Sequence, residues 1–447
     1  MDEYLLPVLM IVVLIGGIFA GYPVAFLLAG LGIIFTVIAG IPIQFLGTVV
    51  SRIFTGTLAN WLLLAVPLFI FMGLMLEKSG AAKKLLLSLA RLFSGMRGGL
   101  AISVALLGIV MAASTGIVGA SVVMLGVLAL PVMLGQKYDK KLAAGVICAS
   151  GTLGILIPPS IMLVLVGDIL QISVGDLFVG AMIPGLMLGG LYIAYILSVA
   201  FLAPHKAPPA SVIIDDTRPL WLALASDLIA PVLLIVGVLG SIIAGVATPT
   251  EAAAIGAAGT LIMAAFSRQL SYANLRDTVY ETGKTTGMIL FVAIGATCFS
   301  VIFKRVGGDY MIEDVVTAFA SGPYGTLAVV MILIFILGFF LEWIEISYIV
   351  LPLFAPIIAG LDFGLGMTTG EQLTWFAILM AINLQTSFLT PPFGYALFYL
   401  KGIAPPEIGM GDIYRSIIPF VMLQLFGLGL AIAFPAIVLW LPRYLAG

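Results

Sequence analysis

This sequence predicts a polytopic all-α membrane protein, and three observations carry the prediction. Of its 447 residues, 62% are apolar and only 9% are charged, against about 25% charged in a soluble domain. The mean hydropathy is +1.25, which a soluble domain cannot hide because its surface must be covered by polar side chains. The apolar runs extend over about 15–25 residues, whereas an outer-membrane strand alternates apolar and polar over about ten. In lipid only helices and closed barrels satisfy their backbone, so helices remain.

The net charge is −2, with 19 Lys+Arg against 21 Asp+Glu, so no basic surface points to nucleic acid. Cys148 and Cys298 stand singly in apolar runs without CxxC or metal spacing, and read as small packed residues. The start, MDEYLLPVLMIVV, is acidic where a secretory signal is basic and shows no cleavage site. It is read as a retained helix, the first of a group over residues 1–76.

The cations cluster at Lys78, Lys83, Lys84, Arg91 and Arg97, and again at Lys137, Lys140 and Lys141. The positive-inside rule places both groups in the cytoplasm. Between Glu77 and Arg97 the cations interleave with Leu85, Leu86, Leu87, Leu89, Leu92 and Phe93, so 77–97 is expected to be an amphipathic arm along the cytoplasmic interface. The apolar stretch 98–135 leaves and returns to that side, yet is slightly short for two crossings of about 20 residues each plus a turn. Its middle, Ala113 to Ser121, is small, polar and turn-prone. A re-entrant hairpin with its tip near mid-membrane is expected.

The next run, 141–167, contains Gly151, Gly154, Pro158 and Pro159. Such residues break a helix in mid-span. These elements, through residue 202, form a first half that ends at a Pro-rich linker over 203–219. A second group of helices covers 220–302, where Thr248-Pro249-Thr250-Glu251 reads as a capping box.

Residues 303–402 repeat the plan. A hairpin is expected over 325–360, with a polar middle from Glu342 to Ser347, and a broken helix over 373–401 around Pro391-Pro392. From Val306 to Tyr399 there is no Lys or Arg, while Asp309, Glu313, Asp314, Asp362 and Glu371 are acidic. The second hairpin should therefore enter from the non-cytoplasmic side. A C-terminal helix is expected over 403–447. Two halves of like pattern and opposite orientation make an inverted repeat with broken helices, the signature of a secondary transporter.

A broken helix beside a hairpin tip gathers backbone carbonyls and hydroxyls where a hard cation such as Na⁺ can sit. The first half offers Ser114, Thr115, Gly116, Gly119, Ser150, Gly151, Thr152, Gly154 and Ile157. The second offers Glu342, Glu345, Ser347, Asn383, Gln385, Thr386, Ser387 and Thr390. Any single Ser or Thr has the ordinary alternative of a bond to the i−4 carbonyl. The repeated pattern carries the expectation. Glu342 and Glu345 are the sharpest residues, since a charge at membrane depth costs about 2.5–3.5 kcal/mol. They share a helical face and suit a cation, a substrate hydroxyl or a proton; the alternative is a solvated tip.

Enzymatic readings fail. Gly283-Lys284-Thr285 lacks the P-loop's first glycine, because position 278 is Thr278. His205, the one histidine, sits in the linker. Gly409-Met410-Gly411-Asp412 with Tyr138-Asp139 has the form of an intramembrane aspartyl protease, but both aspartates lie outside the apolar runs. Gly185 and Gly189 form a weak helix-contact motif.

Four stretches, STGIVGAS (114–121), ASGTLGILIPPSIMLVLVG (149–167), GVATPTEAAAIGAAG (245–259) and TPPFGYALFYLKG (390–402), resemble the large membrane subunit of tripartite ATP-independent periplasmic transporters, the DctM family, over about residues 5 to 440. The resemblance implies an elevator-type fold similar to divalent-anion/sodium symporters. In it residues 1–76 and 220–302 are static scaffold, while the hairpins and broken helices move. It also implies Na⁺ as coupling ion at two or more sites, formed by each tip with its neighbouring break. Substrate contacts would come from Thr115, Ser121, Pro159, Glu342, Glu345 and Pro392. The implied partners are a periplasmic substrate-binding protein, a small four-helix membrane subunit, a small organic acid and the lipid of a bacterial inner membrane. The alternative is a stand-alone carboxylate symporter driven by Na⁺ or H⁺.

Overall fold

A computed structural model describes residues 4–209, 218–319, 322–392 and 394–445, with backbone alone at 113–115. The chain is 82% helix, and no strand occurs among the described residues. The first group is α1 (Leu5–Phe19), α2 (Val24–Ile38), α3 (Leu46–Ile53) and α4 (Ala65–Lys78). A π turn, Phe54–Leu58, and a 3-10 turn, Trp61–Leu64, lead into α4. Next come α5 (Ala81–Leu92), α6 (Gly99–Thr115), α7 (Val118–Gly135), α8 (Lys140–Thr152), α9 (Ile161–Leu170) and α10 (Val174–Leu202). Beyond the linker lie α11 (Leu220–Ile243), α12 (Pro249–Phe266), α13 (Tyr272–Arg305) and α14 (Gly308–Phe319). The second set follows as α15 (Gly322–Leu337), α16 (Trp343–Ala359), α17 (Thr369–Leu389) and α18 (Tyr395–Ile403). The chain closes with α19 (Met410–Ala433) and α20 (Ala436–Leu445). Two helices therefore occupy 403–447 where one was expected, because Pro435 supplies no N–H to continue α19.

Among the described residues eight helices are long and apolar enough to cross a bilayer, by length and composition. Their outer faces carry bare apolar side chains, with Phe201 and Phe266 each 85% exposed. A surface of that kind belongs in lipid. This is a multi-pass membrane protein.

Local chemistry sets the ends. Asp139 caps α8 by accepting from the N–H groups of Lys141 and Leu142, both at 3.0 Å. Thr248 with Glu251 and Thr368 with Glu371 each close a full capping box. Gly116 ends α6 at φ +58°, a left-handed conformation that favours glycine. Pro158 and Pro159 stop α8 from continuing into α9, and Pro391 and Pro392 separate α17 from α18 in the same way.

The helices fix two ends of the molecule. Lys78 at the foot of α4 pairs with Asp277 at the start of α13, 3.6 Å apart. Lys304, in the last turn of α13, lies about 40 Å away, since the helix rises about 1.5 Å per residue from Asp277. Both ends of the α6–α7 pair are tied to one linker segment: Gly98 N donates to Ala207 O at 3.0 Å, and Asp139 N to Lys206 O at 2.9 Å. The α15–α16 pair closes on itself likewise, where Tyr324 packs on Phe363 with ring centroids 5.2 Å apart. The start of α17 is joined there, because Gln372 donates to the carbonyls of Ile358 and Leu361. From Thr374 to Leu389 every residue of α17 is buried, and α18 delivers the chain to Glu407 beside Lys140. The two helical pairs thus open toward opposite ends.

The core between them is dense. Tyr192 on α10 accepts from Gln424 Nε2 on α19 at 2.7 Å, and the same amide reaches Thr152 Oγ1 at 3.4 Å. Gln424 Oε1 has no partner. Removing the hydroxyl in Tyr192→Phe leaves a buried amide poorly satisfied, at a cost of about 1–3 kcal/mol. The purified variant is expected to melt several degrees below the wild type. Unchanged melting would mean that this contact does not tie α10 to α19.

Candidate functional site

The site is assembled from two tips and two breaks. The first tip runs from Gly116 to Gly119, between α6 and α7. Gly119 lies so close to α18 that a Cβ added there would meet the Tyr399 ring at 2.7 Å. The second tip comprises residues 338–342, between α15 and α16. Ile117, Val118 and Gly119 of the first tip face Glu342 and Trp343 of the second across a small cleft walled by Phe388, Tyr395 and Tyr399. Its free volume is about 30 Å³, room for one water-sized group. Tyr395 donates its hydroxyl to Phe340 O at 2.8 Å, and Glu342 and Tyr399 line the same cleft. The Tyr395 bond pins the second tip to α18.

The first break runs from Leu153 to Ser160, where a 3-10 turn replaces the α-helix. It packs against α6 and α7. Ser160 donates to Ile155 O at 2.7 Å, and Thr152 to Ala149 O at 2.8 Å. Ser150 is 1% exposed, and its Oγ has no partner. Gly151 lies against Val122 of α7, while Gly154 and Ile157 are buried in the turn itself. The peptide bonds Pro158–Pro159 and Pro391–Pro392 are both cis. Pro159 is buried at the first break and Pro392 exposed at the second.

Along α17 most polar side chains are spent on the helix. Thr386 donates to Ile382 O at 3.1 Å, Ser387 to Asn383 O and Leu384 O at 3.2 Å, and Thr390 to Thr386 O at 2.7 Å. Asn383 donates to Met331 O of α15 at 2.7 Å. Ser347 bonds back to Trp343 O at 2.6 Å, and Ser121 to Ile117 O at 3.1 Å. Gln385 is different. It is fully buried, and neither its amide oxygen nor its amide nitrogen has a partner. Glu345, on the first turn of α16, has Oε2 buried and unpaired as well.

Burying an unsatisfied polar group costs about 1–3 kcal/mol, so native cores rarely keep one without a reason. Here Ser150 lies on the helix that leads into the first Pro-Pro break, eight residues before Pro158, and Gln385 on the helix that leads into the second, six residues before Pro391. The helix ends beside them leave carbonyls without an i+4 donor. The available atoms are hydroxyl, amide and carbonyl oxygens, the donor set of a hard monovalent cation. The side chains of Ser114 and Thr115 lie outside the described residues. Sequence reasoning missed the aromatic wall of Phe388, Tyr395 and Tyr399; the i, i+4 tyrosine pair after the second break was its only trace.

The architecture is that of a multi-pass membrane transporter. It superposes on the Alcanivorax borkumensis YdaH transporter with a TM-score of 0.63 over 88% of this chain and 89% of that chain, at 15% sequence identity. The chain belongs to the DctM family: residues 10–437 match the family described as tripartite ATP-independent periplasmic transporter, DctM component. It is similar to the C4-dicarboxylate TRAP transporter large permease protein DctM of Pseudomonas aeruginosa, 33% identical over 87% of this chain and 88% of that protein. It is also similar to the isethionate TRAP transporter permease protein DctMQ of Oleidesulfovibrio alaskensis, 30% identical over 96% of this chain and 64% of that protein. It is a large permease component of a tripartite transporter, not an enzyme.

Proposed function

We propose that this chain is the translocating subunit of a Na⁺-driven secondary transporter that imports a small organic acid across the bacterial inner membrane. A periplasmic binding protein delivers the acid, and a small membrane subunit extends the permease. The name of the DctMQ relative joins an M and a Q component, which supports a small-subunit partner. C4-dicarboxylate and isethionate, named for two relatives, are both small organic anions, which supports that substrate class.

The observation that carries the reading is the pair of buried, unpartnered side chains at the breaks, Ser150 and Gln385. A cation bound among them would satisfy oxygens that the protein alone leaves bare. The opposed helical pairs whose tips meet at Glu342 and Gly119 support an inverted repeat and a mobile central body that carries the site between faces. Moving two Na⁺ inward with one monocarboxylate transfers one net positive charge, worth about 2.3 kcal/mol per 100 mV.

The test is uptake with Na⁺ replaced by choline. Uptake is expected to fall to background at any pH gradient; uptake sustained by protons alone would overturn the sodium assignment. Omitting the binding protein is expected to abolish uptake as well, whereas a stand-alone symporter would continue at its normal rate.

A further inference from the structure

A polar recess away from the tips lies at the Lys304 end, between α3 and α13 on one side and α9 and α16 on the other. Its free volume is about 380 Å³, within the range of ligand sites and more than ten times that of the cleft between the tips. In this conformation a carboxylic acid fits the recess and not the cleft.

The lining has a definite chemistry. Arg52 closes α3 and Lys304 closes α13, and both line the recess. Neither takes part in an ion pair found among the described residues. Lys304 Nζ donates to Pro352 O of α16 at 3.1 Å, which spends one of its three N–H groups and holds the ammonium at the wall. Tyr348, one turn earlier on α16, lines the same recess with a buried hydroxyl that has no partner. The one carboxylate there, Asp168 at the end of α9, already accepts from Asn60 Nδ2 at 2.6 Å. Two cations and a free hydroxyl donor thus face one carboxylate, which leaves one net positive charge in the lining. A guanidinium presents a planar fork that matches a carboxylate, and a recess with low-dielectric walls concentrates the ion its charges favour.

We propose that this recess binds a small carboxylate anion, held by Arg52, Lys304 and the Tyr348 hydroxyl, as a waiting position separate from the cleft between the tips. The choice of a carboxylate rests on the organic-acid reading above. The site itself is independent of sodium coupling.

The test uses the full-length purified chain in a Cys148→Ala/Cys298→Ala background with Ser300→Cys as reporter, and Thr297→Cys as a second reporter should the first fail to fold. Both positions line the recess. Modification rates are measured with an anionic and a cationic methanethiosulfonate of similar size. The anionic reagent is expected to be favoured several-fold over its ratio on a free thiol. Succinate is expected to slow modification relative to chloride at equal ionic strength, and Arg52→Gln to remove both effects. A ratio equal to the free thiol, a preference for the cation, or an anion preference without protection by succinate would each overturn the site. Because no transport is read, its failure is distinct from failure of the choline test.

Discussion

Gln385→Leu is expected to abolish Na⁺-driven uptake while leaving the protein as stable as the wild type or more so. Leucine has nearly the same volume, and it removes a fully buried amide that bonds to nothing in the protein. Replacing an unsatisfied buried polar group with an apolar one of similar shape relieves its desolvation penalty of about 1–3 kcal/mol. The cation loses an amide oxygen in a low-dielectric interior, a contact to a charge worth about 1.5–3 kcal/mol, or at least tenfold in apparent Na⁺ affinity. A purely structural Gln385 would behave in the opposite way: melting would fall and uptake per folded molecule would stay within twofold. Uptake against Na⁺ concentration, with a thermal melt of the same preparation, separates the two.

Gly119→Leu is the second large effect. The tip meets α18 where only a hydrogen fits, since the first carbon of any side chain would stand 2.7 Å from the Tyr399 ring. Overpacking of this kind costs about 1–3 kcal/mol, and relief requires the tip to withdraw from Glu342. Transport is expected to be lost and the melting temperature lowered. The cause is checked by Tyr399→Ala, which opens space at that point: the Gly119→Leu/Tyr399→Ala double variant should melt above Gly119→Leu alone. If the double variant is instead the less stable, the tip is not held by contact with α18.

The sequence showed the interruptions because their cause is local. Pro158-Pro159 and Pro391-Pro392 stop a helix whatever surrounds them, and Gly116 ends one by its backbone conformation. The opposed charge patterns around the two helical pairs were equally plain. What the sequence could not separate was Ser150 and Gln385 from Thr386, Ser387 and Thr390. All five sit near a break, but whether a hydroxyl turns back to its own helix depends on rotation and packing against α6 and α15. The recess was less legible still. Arg52, Asp168, Lys304 and Tyr348 come from four helices far apart in sequence, and each alone reads as an ordinary polar residue at a helix end.

Direct binding of ²²Na⁺ to the purified chain, by scintillation proximity without substrate or partner subunits, tests the claim that both breaks are cation sites. Wild-type protein should bind saturably, Ser150→Ala and Gln385→Leu should each reduce the bound ion, and the double variant should retain none. Equal binding by the wild type and a folded double variant would contradict the account.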